Sequence, residues 1–195
     1  MLKVRVALLL AAALAVAVPT IAVAASQDQQ TPAAPAAALA PVCGNIYATN
    51  AAVQNVVRYT SDPATYTSTS YVNAACGNTT ISVPRGRRAL VIVDVDAEVE
   101  CTGPAGQWCL GRVLIGGVEA APTAPEPSSL AWAHSDPSST AWEANGFKRM
   151  RHVSCPATYP LARCNYAVVT QVRNHAAGLS FWVDDLTVHA SLTYW

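Results

Sequence analysis

The sequence predicts an all-β protein, an antiparallel β-sandwich of jelly-roll type stapled by disulfides. Three observations carry this. Apolar and polar residues alternate with period two over long runs, six cysteines follow an apolar leader, and no long amphipathic helical pattern interrupts the strands.

The clearest run is ALVIVDVDAEVEC, residues 89–101. Val91, Val93, Val95, Ala97, Val99 and Cys101 fall on one side; Ile92, Asp94, Asp96, Glu98 and Glu100 fall on the other. Val-rich alternation of this length is a half-buried strand. Its four carboxylates are spaced roughly 6.6 Å apart along the strand. A calcium ion wants its oxygens within about 2.6 Å, normally from a loop that folds around it. The stripe is therefore expected to be a solvated sheet face, with the alternative that another strand completes a site beside it.

The next segment, CLGRVLIGGVEA (109–120), places Gly111, Val113 and Ile115 on the side of Cys109. If Cys101 and Cys109 face each other across a hairpin, Glu98 lies opposite Arg112 and Val95 opposite Ile115. Opposed residues in such a pair have Cα atoms roughly 4.5–5.5 Å apart, inside the range a disulfide needs. The same alternation predicts strands at 65–72 and at 79–83, the latter ending at Pro84. YAVVTQV (166–172), apolar on both faces, reads as an interior strand, and FKRMRHV (147–153) as an edge strand whose cations discourage further pairing. AAVQNVVRY (51–59) fits a helix about as well as a strand. In the last segment Leu186, Val188, Ala190, Leu192 and Tyr194 share one side, and Asp184–Asp185 mark a junction or a bulge. Residues 121–146, with four prolines and two tryptophans, form the longest stretch without a period and are the loop most suited to carry function.

The chain opens with Lys3 and Arg5, then an uncharged apolar run ending at Ala22-Val23-Ala24. This is the pattern of a secretory signal peptide, residues 1–24. Residues 25–41, rich in Ala, Pro and Gln, read as a linker, and 42–195 as one domain. All six cysteines lie in the exported part, as expected for disulfides in an oxidising compartment. Proximity suggests Cys101–Cys109 and Cys155–Cys164, and elimination leaves Cys43–Cys76. Without Lys3 and Arg5 the chain holds 10 basic and 12 acidic residues, a formal charge of −2, and its densest basic cluster is the short RGRR at 85–88. Nucleic acid is not an expected partner, nor is membrane insertion after leader cleavage. The Ala-rich composition fits a bacterial protein secreted to the exterior.

The sequence contains no HExxH, GxSxG, P-loop, GxGxxG or CxxC motif. His134, Ser135 and Asp136 are adjacent, whereas triad members come from separate segments, so HSDPSS reads as a turn. The aromatic residues are the better candidates. Trp132, Trp142 and Trp182, with Tyr59, Tyr66 and Tyr71, offer flat faces for stacking on sugar rings, and Trp182 points away from the core if Phe181 and Val183 point in.

The ending FWVDDLTVHASL resembles the final strand of jelly-roll carbohydrate-binding modules. The wider pattern, a Val-rich strand ending in CTG, then WC, RVLIGG and FWVDDLTV, is similar to secreted bacterial β-sandwich proteins. The resemblance implies a structural calcium at Asp184 or Asp185 and no other cofactor. The function expected is extracellular binding or structural support, with a glycan or cell wall as ligand. The alternatives are a hydrolase acting on polysaccharide or cell wall through paired carboxylates, and a protein-binding module.

Overall fold

The structure, a computed structural model, describes residues 40–50, 52–123, 130–135 and 142–195. The expected leader and residues 25–39 of the expected linker lie outside the described residues. Among the described residues the regular elements are strands: β1 (Gly44–Thr49), β2 (Val53–Tyr59), β3 (Ala64–Tyr66), β4 (Val72–Pro84), β5 (Arg88–Thr102), β6 (Trp108–Ile115), β7 (Val118–Glu119), β8 (Ala131–His134), β9 (Glu143–Ser154), β10 (Arg163–Asn174) and β11 (Ser180–Tyr194).

The strands form two antiparallel sheets. The first has the order β1-β2-β11-β5-β9, with β3 also on β11; the second runs β4-β10-β6-β7, with β8 also on β6. The pairs are nested: β2 with β11, β4 with β10, β5 with β9, β6 with β8. Chain-adjacent strands β4, β5 and β6 therefore alternate between sheets, which is the jelly-roll arrangement of a double-sheet sandwich. Alternation along each strand fills the space between the sheets. Val91, Val93, Val95 and Val99 of β5, Phe181, Val188 and Leu192 of β11, and Ile81, Val113, Ile115 and Val168 of the facing sheet are all buried.

The hairpin expected between residues 89–101 and 109–115 is not formed. Cys101 and Cys109 are bonded, with Cα atoms 5.8 Å apart, but the bond joins one sheet to the other. Glu98 lies beside Asp184 and Ala144, and Arg112 beside Gln171. A disulfide fixes only a short distance and an inward direction, and two inward cysteines meet that condition across a sandwich as well as across a ladder. Cys43–Cys76 and Cys155–Cys164 are also bonded.

Three other elements differ from the reading of the sequence. The expected strand at 65–72 breaks after Tyr66, because the Ser68 hydroxyl donates to Ser70 O at 2.7 Å and accepts from Ser70 N–H at 3.1 Å, closing a local turn. Residues 51–59, read either way, contain the strand β2. The long loop is shorter than expected, since β8 lies within it and β9 begins at Glu143; its residues 124–129 and 136–141 lie outside the described residues. β9 is the edge strand expected at 147–153, but Arg149 turns inward and is buried, its guanidinium 4.8 Å from the Phe147 ring centroid. Main-chain bonds in both directions between Ala121 and Met150 partly cover this edge.

Trp132 closes the space between β8 and β9. Its indole N–H donates to Asn145 O at 3.1 Å, and the Asn145 amide donates back to Trp132 O at 3.2 Å. Phe147 and Phe181 meet its ring edge-on at 4.9 and 5.6 Å. Gly111 leaves room for this packing, because a Cβ there would sit 2.7 Å from the indole and 2.8 Å from Phe147.

Two measurements test the core. Trp132→Ala should lower unfolding free energy by about 3–5 kcal/mol in urea melts followed by far-UV circular dichroism. Tyr66 and Tyr194 titrate above the ordinary tyrosine value, each through burial. The Ala75 N–H opposes the shift at Tyr66, and the charge of Arg163 opposes it at Tyr194. The fold thus retains protons that the unfolded chain releases. Their contribution to stability is complete below about pH 10 and is lost as pH rises above it. Melts at about pH 9 and about pH 11 should show this loss, reduced in Tyr66→Phe and in Tyr194→Phe.

Candidate binding face

The outward residues of β5, β9 and β11 make one flat face, and the register fixes their neighbours. Glu100 lies beside Trp182, Glu98 beside Asp184 and Ala144, Asp96 beside Thr187 and Gly146, and Asp94 beside His189 and Lys148. Trp142 precedes β9, one residue beyond the Glu143–Val99 pair. Its ring stacks on Trp182 with centroids 4.6 Å apart and planes at 28°. Trp142 remains 60% exposed, so the stack covers one indole face and leaves an aromatic plate open to solvent at this end.

The strand β11 reaches this face through a change of phase. Phe181 and Val183 point inward at odd positions, while Leu186, Val188, Ala190 and Leu192 point inward at even ones. An unbroken strand would drive Asp185 into the core. The pairing instead jumps from Asp184–Glu98 to Thr187–Asp96, a β-bulge in which Asp185 adopts φ of 48°. The Asp185 N–H donates to Asp184 Oδ1 at 2.8 Å within the bulge, and aspartate is among the few residues besides glycine that enter the left-handed region. Both carboxylates thereby leave the core, and Asp185 joins Asp96 and Glu98 around a depression of about 270 Å³ floored by Ala97, Asn145 and Gly146. The Asp96 carboxylate occupies the space that a Cβ at Gly146 would need.

The acid stripe is thus a solvated face, and acids from β11 extend it. Lys148 pairs with Asp94 at 3.0 Å, with side chains 59% and 31% exposed; such a pair contributes at most about 1 kcal/mol. Among the described residues no group of three or more His, Cys, Asp or Glu side chains is placed to hold a metal ion; Asp184 accepts the bulge N–H and Asp185 lines the depression.

Of the three tryptophans expected to bind ligand, Trp142 and Trp182 come together and Trp132 does not: it is 5% exposed and packed in the core. Tyr59, exposed, pairs with Thr187 on the β2 side of this sheet; the other two tyrosines lie elsewhere. Tyr66 accepts from Ala75 N–H at 2.7 Å, and Tyr71 lies under the guanidinium groups of Arg112 and Arg173, 3.7 and 4.9 Å from their carbons. Ser135 is buried, donating to Pro104 O at 2.6 Å and accepting from Gln107 N–H at 3.0 Å, which fits a turn anchor; Asp136 lies outside the described residues. Trp108 meets the rings of His134 and His175 at centroid distances of 6.2 and 5.4 Å, a cluster without a sequence signature because three separate segments supply it.

No protein-family model matches the chain, and no similar protein was found among curated sequences.

The bulge makes its own prediction. Asp185→Gly should leave stability within about 0.5 kcal/mol, since glycine adopts positive φ freely. Asp185→Val should cost about 1–2 kcal/mol, read from paired urea melts.

Proposed function

We propose that the chain is a secreted extracellular binding protein whose ligand is a glycan or cell-wall polymer, received on the Trp142–Trp182 plate. The observation that carries this reading is the exposed, stacked indole pair at 4.6 Å, standing outside the core at one end of a flat strand face. A planar apolar surface edged by Glu100 and Glu98 suits a sugar, whose ring C–H faces pack on an aromatic while its hydroxyls donate to carboxylates. The neighbouring acids are held on adjacent strands, so their spacing does not depend on ligand to form.

Export is part of the same reading. The leader at 1–24 supplies a signal for it, and the three disulfides, with no free cysteine among the described residues, suit an oxidising compartment. No helix among the described residues is long and apolar enough to cross a membrane.

The hydrolase reading rests on the depression around Asp96, Glu98 and Asp185. Its carboxylates are open to water, whereas glycosidases commonly hold one carboxyl in a buried setting that keeps it protonated. Binding without turnover is the better match to that environment.

The test incubates residues 25–195 with insoluble polysaccharides and bacterial cell wall, with and without a calcium chelator, while released sugar is assayed. Saturable depletion without sugar release is expected, unchanged by chelation. Trp142→Ala and Trp182→Ala should each weaken binding about three- to tenfold with an unaltered circular dichroism spectrum. Absence of depletion on every polymer would remove the glycan reading, and release of sugar would replace it with the hydrolase.

A further inference from the structure

The same face carries a second aromatic station at its other end. Main-chain bonds join Arg88 and Trp195 in both directions, at 3.1 and 3.0 Å, and Arg88 also pairs with Ser154. One step along the strands, Leu90 pairs with His152 and Thr193. The indole of Trp195, 51% exposed, meets the His152 ring edge-on at 5.3 Å. Arg88, His152, Val153, Ser154 and Trp195 line a cavity of about 390 Å³, the size range of small-ligand sites, about 300–1,000 Å³.

This end is basic. Arg85 and Arg87 flank Gly86 in the turn between β4 and β5, and Arg163 pairs with Pro84. The turn is held in place by backbone bonds: Arg85 N–H to Ala162 O, Gly86 N–H to Cys155 O and Cys155 N–H to Arg87 O. The Cys155–Cys164 bond closes the loop that supplies these acceptors. The four arginines are exposed, and among the described residues none has an ion-pair partner. No Asp or Glu side chain occurs in 63–93, 144–183 or 186–195, the segments that build this end; in the 25–195 chain the main-chain carboxylate of Trp195 also lies here, its O accepting from Arg88 N–H at 3.1 Å. Glu119, on the other sheet, is engaged by Arg112 at 3.2 Å.

We infer that the Arg88–His152–Trp195 cavity is a separate binding site for an anionic sugar residue, a uronate or a sulfated sugar. Its ring stacks on Trp195 while its acid group is held by Arg88 and His152. An arginine fork binds a planar carboxylate or a sulfate through two parallel N–H bonds, and the surrounding guanidinium groups raise the local concentration of such an anion. A neutral sugar gains only the stacking. The inference does not rest on the Trp142–Trp182 reading, because the two stations share no residue.

The experiment is calorimetric titration of residues 25–195 with a tetragalacturonate, a sulfated chondroitin tetrasaccharide and uncharged cellotetraose, at low and at physiological salt. Saturable binding of at least one acidic oligosaccharide is expected, weakened by salt. Arg88→Gln and Trp195→Ala should each reduce it at least fivefold, and Trp142→Ala should leave it unchanged. Both altered side chains are exposed, and circular dichroism confirms the fold. Preference for the galacturonate or for the sulfated sugar identifies the acid group. Equal affinity for cellotetraose, affinity unaffected by Arg88→Gln, or no binding of either acidic oligosaccharide overturns the assignment. Salt-sensitive self-association of the free protein that Arg88→Gln abolishes also overturns it, since the basic end then receives the acidic stripe of a second copy.

Discussion

The antiparallel pairing of β5 with β11 is the constraint on which the rest depends. Each strand is 15 residues long, and they pair from Ala89–Tyr194 to Thr102–Ser180. One side of this ribbon supplies the apolar wall that faces the other sheet; the other side supplies the charged and aromatic face. A register slip of one residue would turn Val91, Val93 and Val95 outward and drive Asp94 and Asp96 into the core, so burial fixes the positions of the surface groups as firmly as those of the core. The bulge at Asp184–Asp185 belongs to the same constraint, because it allows β11 to keep apolar residues inward on both sides of two consecutive carboxylates.

The nesting of the strands makes this pairing remote in sequence. β11 lies between β2 and β5, so the first sheet lacks its centre until the last described strand is in place. Contacts of such long separation lose much chain entropy before they are rewarded, which favours slow folding. The disulfides bear on that loss. Cys43–Cys76 ties the residue ahead of β1 to β4, Cys101–Cys109 ties β5 to β6 across the sheets, and Cys155–Cys164 closes the loop between β9 and β10. In the chain-entropy model the two short loops are worth roughly 2.5 kcal/mol each, a substantial fraction of the 5–15 kcal/mol that separates folded from unfolded domains, about.

What the sequence made legible was direction, and what it left hidden was partnership. Period-two alternation is a property of one strand, so the inward side of 89–101, the outward position of Trp182 and the break at Asp184–Asp185 could all be read from local pattern. Pairing is a property of two segments. Glu98 opposite Arg112 was a self-consistent register, yet the acid faces Asp184 and Ala144, because alternation and a disulfide span do not distinguish a hairpin from a crossing between sheets. Trp132 was hidden for a related reason. It lies in a four-residue strand where the pairing with β6 shifts between Cys109 and Leu110, too short and too irregular to carry a phase. The cavity at Arg88, His152 and Trp195 joins three strands whose residues have no local signature in common.

The long face also separates charge. Glu100 and Arg88 are twelve residues apart on β5, roughly 40 Å at the rise of a strand. At physiological ionic strength the screening length is about 8 Å, so the carboxylates around Trp182 and the guanidinium groups around Trp195 act on ligands as independent fields. A uniform polyanion laid along the whole face would be attracted at one end and repelled over the stripe from Asp94 to Glu100. A uniform polycation would meet the reverse. On the glycan-binding reading proposed above, this arrangement would favour ligands that engage one end at a time, by a chain terminus, a branch or a short oligomer. The packed core beneath the β5–β11 ribbon holds the two charged ends apart.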